Sequence, residues 1–334
     1  MEPLEVLDLF AAKIPFENHM FNYFAKLSAE KIVVPFTFGL ANALGVIEEV
    51  SPGYASEMIE RMASVKGIGN EPYESLLQIL GEIYVTSGAA LAVDLGENGE
   101  KLFTHEPRST KNSKNPEFES RSNSVWYAVE VKTPKLNDFS KIRTEKEWQA
   151  IARMPQETID EFSPTLPRDN PIKDFLISAN EKFAAYSNYR SDSYRILTIV
   201  WDDFVQEAIT ALVSPGSGLL TENSFYKKDD IAVKFPFVDA ILVCRYYHQI
   251  KLSTMEKDLI HDEREFVYHN EGFPPKALIQ NPHGRVIPDA LLGPLNATPY
   301  DKLVWFAEYA PQEMIIWMNS RGGEGDKNAD ESSK

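Results

Sequence analysis

The spacing of apolar and polar residues predicts helices at the start of the chain and a mixture of helices and strands after it. Apolar side chains recur at helical intervals within 1–65, and again within 73–87 and 172–186. The apolar runs typical of strands are 125–132, 194–203 and 235–244. This order predicts an α/β fold in which a mixed central β-sheet is flanked by helices.

The same pattern predicts four regions along the chain. In order, they are a helical N-terminal region over 1–65, a core over 66–250, a C-terminal extension packed on that core over 251–320, and a disordered tail over 321–334. The extension has apolar residues at helical spacing over 300–318, so we expect a helical addition at this end as well. The tail contains no large apolar side chain and therefore cannot bury enough surface to fold.

The composition is normal for a soluble globular protein, because 43% of the residues are hydrophobic and 25% are charged. The chain has no apolar run of the about 18 residues that a membrane helix needs, and it begins without the basic segment of a secretory signal. We therefore expect a cytoplasmic protein with no membrane partner. The single cysteine, Cys244, rules out an internal disulfide and a cysteine-based zinc site.

The net charge of -16 limits how this chain could bind nucleic acid. Phosphate binding usually needs a basic surface, so the overall acidity argues against avid binding unless a local patch or a partner helps. That partner would be another protein or a second copy of the chain. Two polar segments beside 125–132 supply local cations. The candidate nucleic-acid contacts are Arg108, Lys111, Lys114, Lys135 and Lys141. Solvated segments without a ligand are the alternative interpretation.

The strand predicted over 125–132 has two charged residues that its other positions do not explain. With a period of two, its β-branched and aromatic residues line one face, while Glu130 and Lys132 share the other. Charged side chains rarely enter a core unless they are paired or bind a metal. Two interpretations remain open here, a functional site and a solvated strand face with an ion pair.

The residues before this strand make a resemblance recognisable. A Pro116-Glu117 pair is followed, thirteen residues after the glutamate, by the acid-x-Lys triplet Glu130-Val131-Lys132. This arrangement resembles the PD-(D/E)xK nuclease superfamily, which has a restriction-endonuclease-like fold. The resemblance implies a helix-strand-strand-strand order, with a helix glutamate joining the site, and Glu82 on the helix predicted over 73–87 fits that position. An exposed helix glutamate is the alternative for Glu82. Position 117 departs from the pattern, because aspartate is usual there.

The chemistry of phosphodiester cleavage explains the residue types. A divalent ion activates water and absorbs charge on the phosphate, and Mg²⁺ prefers carboxylate oxygens and water as ligands. By the resemblance, Glu117 and Glu130 would hold Mg²⁺, with Mn²⁺ as a substitute. Lys132 would orient or deprotonate the attacking water, and Glu82 would position the water shell of the metal.

The sequence therefore predicts a metal-dependent endonuclease that cleaves nucleic acid, with DNA as the preferred substrate. Fold kinship suggests restriction, repair or antiphage defence as its setting. The alternative is a non-catalytic interaction or scaffold protein that keeps a degenerate nuclease fold. The net acidity and the glutamate at position 117 motivate this alternative.

Overall fold

The structure is a computed structural model that describes most of the chain. The described residues are 1–108, 114–135, 150, 153–154, 156–201, 205–246, 266–269, 276–303 and the backbone of 307–310 and 313–316, with only the backbone described at 205–206. The predicted tail over 321–334 lies outside these ranges, as do Lys111 and Lys141.

Helices dominate the first part of the chain, as its apolar spacing predicts. They are α1 (Pro3–Lys13), α2 (Asn22–Ala29), α3 (Pro35–Val50), α4 (Tyr54–Ser64) and α5 (Asn70–Leu91). Proline stands in the first turn of α1 and of α3, where its missing N–H costs no helical hydrogen bond. The start of α5 follows Gly69, whose positive φ of 141° few other residues adopt.

Strands and helices alternate after α5. The strands are β1 (Phe103–His105), β2 (Phe118–Ser122), β3 (Val125–Lys132), β4 (Tyr194–Val200), β5 (Lys227–Lys228), β6 (Ile231–Ala232), β7 (Ala240–Cys244), β8 (Lys276–Gln280), β9 (Ala297–Pro299), β10 (Ala307–Ala310) and β11 (Glu313–Ile316). The helices among them are α6 (Gln156–Phe162), α7 (Asp169–Tyr186) and α8 (Val205–Val213). The chain thus has the order helix, strand, strand, strand from α5 to β3.

Seven of the described strands form one mixed sheet, in the order β1-β2-β3-β4-β7-β8-β9. The pairs β1–β2 and β2–β3 are antiparallel, whereas β3–β4 and β4–β7 are parallel. A parallel pair needs a long crossover connection, and α6 and α7 lie within the connection from β3 to β4. The predicted mixed sheet flanked by helices is confirmed.

Two buried clusters lie on opposite faces of this sheet. On β3, Tyr127 and Val129 join the cluster that contains the apolar faces of α1 to α5. Ala128, which points the other way, joins the cluster formed with α7 and α8. The alternation predicted for 125–132 is therefore confirmed, and the same strand contacts both helical layers.

The helical addition expected over 300–318 is wrong in the part of that range that the structure describes. A single 3-10 turn at Tyr300–Lys302 is followed by β10 and β11, which pair antiparallel. The sequence offers a physical reason, since Pro311 breaks a helical hydrogen-bond ladder and the β-branched pair Ile315-Ile316 favours extended backbone. No helix in the described part of the chain is long and apolar enough to cross a membrane.

Candidate active site

Two glutamates lie opposite each other at one end of the β2–β3 pair, Glu117 directly before β2 and Glu130 on β3. Phe118 pairs with Val129 in the antiparallel register, so one further step places Glu117 opposite Glu130. The backbone N–H of Glu117 donates to the carbonyl of Val129 at 3.0 Å and holds this register at the end of β2. Glu130 is completely buried, whereas the Glu117 side chain is 19% exposed. The acid pair of Glu117 and Glu130 therefore has one buried and one partly open carboxylate.

One ammonium group contacts both carboxylates of the acid pair. Lys182 Nζ, from α7, lies 2.7 Å from Glu130 Oε1 and 3.7 Å from Glu117 Oε1. It also donates a hydrogen bond of 2.9 Å to Glu130 Oε2. Lys132 Nζ approaches Glu130 Oε1 at 2.6 Å from the other side. Two ammonium groups thus meet at one carboxylate oxygen, and they do so as ion pairs without hydrogen-bond geometry at that atom.

Close packing of α5 brings Glu82 to the same end of the sheet. A Cβ atom at the preceding residue, Gly81, would lie 2.7 Å from Thr133 Oγ1, just beyond β3, so only glycine allows this approach without a shift. Arg61 of α4 fixes the Glu82 carboxylate by two hydrogen bonds of 2.9 Å each. His105 Nε2, at the end of β1, lies 4.0 Å from Glu82 Oε1.

The positive charges near Glu117 do not fully offset its burial and the negative charges of the neighbouring carboxylates. Burial raises the pKa of Glu117 to about 7, and the neighbouring carboxylates Glu82 and Glu130 add to the increase. Lys182 and Lys132 oppose this shift without cancelling it. Burial acts against the charged form of Lys182, but the attraction of Glu130 and Glu117 outweighs it and raises the pKa of this lysine.

Besides the acid pair, Glu119 on β2 is an acid that takes part in a separate structural contact. Glu119 is fully buried on the same face as Glu117, two residues further along the strand. Its carboxylate accepts hydrogen bonds from the Tyr186 hydroxyl and from Arg190, and the Arg190 guanidinium lies over the ring of Trp126 at 3.8 Å. These contacts satisfy Glu119, which leaves Glu117 and Glu130 as the acids that face a common cation.

The predicted nucleic-acid contacts have different surroundings in the structure. Arg108 forms an ion pair with Glu106, and Lys114 forms one with Glu181 of α7 at 2.5 Å. Lys135 is exposed just beyond β3. Lys111 and Lys141 lie outside the described residues, so their role stays a prediction.

The sequence reasoning missed the two cations that organise this cluster, Lys182 and Arg61. Lys182 lies between Ala179 and Tyr186 at helical spacing, and both of these residues are buried. A lysine at the border of an apolar helix face was the available signal, because such a side chain packs its stem on apolar surface and keeps its ammonium near solvent. Arg61 had a weaker signal, since α4 is amphipathic and carries several charges.

The acid pair fits a divalent cation through the chemistry of its ligands. Two carboxylates that converge on one cation, beside a partly open face, are the protein ligands that Mg²⁺ commonly uses together with water. The residual shortage of positive charge at Glu117 favours such an ion as well. Within the described residues, no group of three or more His, Cys, Asp or Glu side chains is placed to hold a metal. Glu117 and Glu130 are the two acids that share Lys182 as a contact.

Comparisons with known proteins assign this chain to no family. No protein-family model matches it, and searches of curated proteins and of solved structures found no significant match.

Proposed function

We propose that this protein is a metal-dependent phosphodiesterase that cleaves nucleic acid, with DNA as its substrate. The observation that carries the proposal is the convergence of Glu117 and Glu130 on one cationic atom, Lys182 Nζ, at 3.7 and 2.7 Å. Both residues were candidate metal ligands on sequence grounds. A cluster that gathers them around one positive charge supports a role in cation binding.

The order of elements adds support for a PD-(D/E)xK core. The helix α5 carries Glu82, Glu117 precedes β2, and β3 carries Glu130 and Lys132. This is the helix-strand-strand-strand order that the resemblance implies, with each candidate residue at the expected element. The setting in restriction or antiphage defence rests on that resemblance alone. The cytoplasmic location rests on the composition of the sequence.

The residues of the candidate site would have different roles in the reaction. Glu117 and Glu130 would hold Mg²⁺, which when bound activates water and offsets charge on the phosphate. Lys132, whose ammonium is held beside Glu130, would orient the attacking water and neutralise a phosphate oxygen. Glu82 is kept in place by Arg61 and would accept hydrogen bonds from water at the edge of the acid pair.

A nicking assay tests catalysis directly. Purified protein is incubated with supercoiled DNA and Mg²⁺ or Mn²⁺, and Lys132→Ala is compared with the parent and with Lys228→Ala, which removes an exposed lysine of β5 that is not a candidate contact. Removal of a group that acts only in the transition state should lower the rate at least about 100-fold, whereas the control should change it little. Equal nicking by Lys132→Ala and the parent would contradict the assignment of this site as a nuclease active site.

A non-catalytic interaction or scaffold protein is the second candidate, and one observation favours it. The cations Arg61, Lys132 and Lys182 already pair with the acids inside the protein, as they would in a purely structural network. Calorimetric titration with Mg²⁺ separates the two functions. Binding that Glu130→Gln abolishes supports the nuclease, whereas absence of binding, or binding that the substitution leaves intact, supports the scaffold.

A further inference from the structure

The acid pair shares one ammonium group, although the two carboxylates come from different strands. Lys182 reaches them from α7, in the layer that covers this face of the sheet, and its side chain remains 25% exposed. Lysine is a flexible point charge on a four-carbon stem, unlike the rigid fork of arginine. Its ammonium can therefore leave the acids by side-chain rotation, without movement of α7.

The arrangement of charges makes Lys182 easier to displace than Lys132. Both ammonium groups approach the same oxygen, Glu130 Oε1, at 2.7 and 2.6 Å, so they repel each other there. Lys132 lies on the same face of the same strand as Glu130, two residues away, so its attachment to the strand keeps it beside that acid. Lys182 extends across from another element and also faces Glu117. A cation that entered between the two acids would take the place of Lys182.

We propose that Lys182 is the resident counter-ion of the acid pair, which a divalent cation must displace in order to bind. This inference rests on the proposed function, and it adds a regulatory property to the same site. The carboxylates are held together and neutralised when no metal is bound. The metal competes with an internal ammonium, so the affinity of the acid pair for metal in the absence of substrate is lower than the two carboxylates would otherwise provide.

The displaced ammonium would remain next to the site and would favour an anionic substrate. A positively charged group that has lost its carboxylate partners is stabilised by a phosphate group nearby. Metal and phosphodiester should therefore bind with positive coupling. The metal frees the ammonium of Lys182 for the phosphate, and the phosphate stabilises the ammonium that the metal has displaced. The chain would then hold Mg²⁺ firmly only when nucleic acid is present.

Calorimetric titration of this chain with Mg²⁺ tests the competition without any measurement of activity. The variants are Lys182→Met, Lys182→Gln and the charge-preserving Lys182→Arg, and Lys173→Met serves as the matched control. Lys173 lies on the same helix with a nearly equal exposure of 24%, and it pairs with Asp174 instead of the acid pair. The titration is run at about pH 8.5, above the pKa of Glu117, so that a proton does not replace the lysine as competitor.

The neutral variants should bind Mg²⁺ about tenfold tighter than the parent, because they lack the competing charge. Lys182→Arg and Lys173→Met should bind it about as weakly as the parent. A lysine with a merely structural role would lower the affinity when removed, so the sign of the change separates the two roles. If Lys182→Met does not fold, the polar Lys182→Gln provides the same comparison.

Two other results are informative in different ways. Equal affinity of the parent and both neutral variants overturns the competition and leaves the metal-dependent function standing. No binding of Mg²⁺ to any of these proteins overturns both the competition and the proposed metal site.

Discussion

Arg61 and Glu82 face each other across α4 and α5, with Nη1 and Nη2 of the guanidinium each donating a 2.9 Å hydrogen bond to one carboxylate oxygen. This fork connects the N-terminal helices to the helix that carries the glutamate of the candidate site. The Glu82 carboxylate is nearly buried, so these two hydrogen bonds replace contacts with water that it has lost. The first prediction follows from these two bonds.

Arg61→Met should destabilise the protein by about 1–3 kcal/mol, because a nearly buried carboxylate loses its two charge-assisted hydrogen bonds. Arg61→Lys should recover only part of the loss, since an ammonium cannot match both oxygens at once. Urea denaturation of the parent and both variants measures the difference. A Lys variant as unstable as the Met variant would contradict an electrostatic role for Arg61.

Glu117 should make the protein less stable as the pH rises toward neutrality. Its pKa is raised from 4.5 to about 7, first by burial and then by Glu82 and Glu130. Between these values the folded state keeps a proton that the unfolded chain has released, so the free energy of unfolding falls with increasing pH. Glu117→Gln removes this cost and should be more stable than the parent by about 1–3 kcal/mol at pH 8, with little difference at pH 5.

Denaturation at both pH values tests this expectation, and Glu97→Gln is the control because Glu97 lies on an exposed turn. That substitution should change stability little at either pH. A Glu117→Gln effect of the same size at pH 5 and pH 8 would mean that the proton on Glu117 is not its origin.

Lys276 should produce a pH dependence of opposite sign. Burial lowers the pKa of Lys276 from 10.5 to about 8. Between these values the unfolded chain still holds a proton that the folded state has released, so the free energy of unfolding rises with increasing pH. Lys276→Met removes the cost of burying the charge. It should be more stable than the parent by about 1–3 kcal/mol at pH 7, an advantage that shrinks toward pH 10.

The difference between this variant and the parent isolates Lys276 from other groups that titrate at high pH. The carbonyl of Tyr268, which accepts a 2.6 Å hydrogen bond from Lys276, keeps the amide of Asn296 as a second donor at 3.1 Å. Loss of the lysine therefore does not leave that oxygen without a partner. A variant that is less stable than the parent at pH 7 would show that the contacts of Lys276 outweigh its burial cost.

Gly81 should be essential for the position of Glu82. A Cβ atom there would lie 2.7 Å from Thr133 Oγ1 and 3.4 Å from Val200, so Gly81→Ala should push α5 away from β3. We expect a loss of about 1–3 kcal/mol in stability, together with weaker nicking. Gly216→Ala is the control, because its Cβ would meet nothing within 4 Å.

A double variant shows whether the clash with Thr133 causes the effect of Gly81→Ala, or whether the effect arises from the change within α5 itself. Thr133 Oγ1 is buried and has no hydrogen-bond partner among the described residues, so Thr133→Ala removes the clashing atom at little polar cost. Gly81→Ala with Thr133→Ala should therefore recover much of the stability that Gly81→Ala alone loses. Additive losses would place the origin of the effect elsewhere.

The local elements around the site follow from short-range patterns. The period of two in 125–132 is enough to assign Val129 to one face of β3 and Glu130 to the other, because a strand alternates its side chains whatever packs on it. In the same way, proline near the start of a helix and glycine before α5 set limits that depend only on neighbouring residues. The prediction over 300–318 was wrong because apolar spacing alone did not outweigh Pro311 and the paired β-branched residues there.

The charges on 125–132 were recognisable as unusual from the sequence, and so were Glu117 and Glu82 as their candidate companions. Lys182 could not be paired with them from the sequence, because it lies 52 residues from Glu130 in the chain. Only the parallel pairing of β3 with β4 and the crossover between them bring α7 onto the acid-bearing face. The sequence alone therefore determined which carboxylates are candidates, Glu130 through the period of its strand and Glu117 and Glu82 through the resemblance. The tertiary structure decided which cation neutralises them, since that contact depends on how distant helices pack on the sheet.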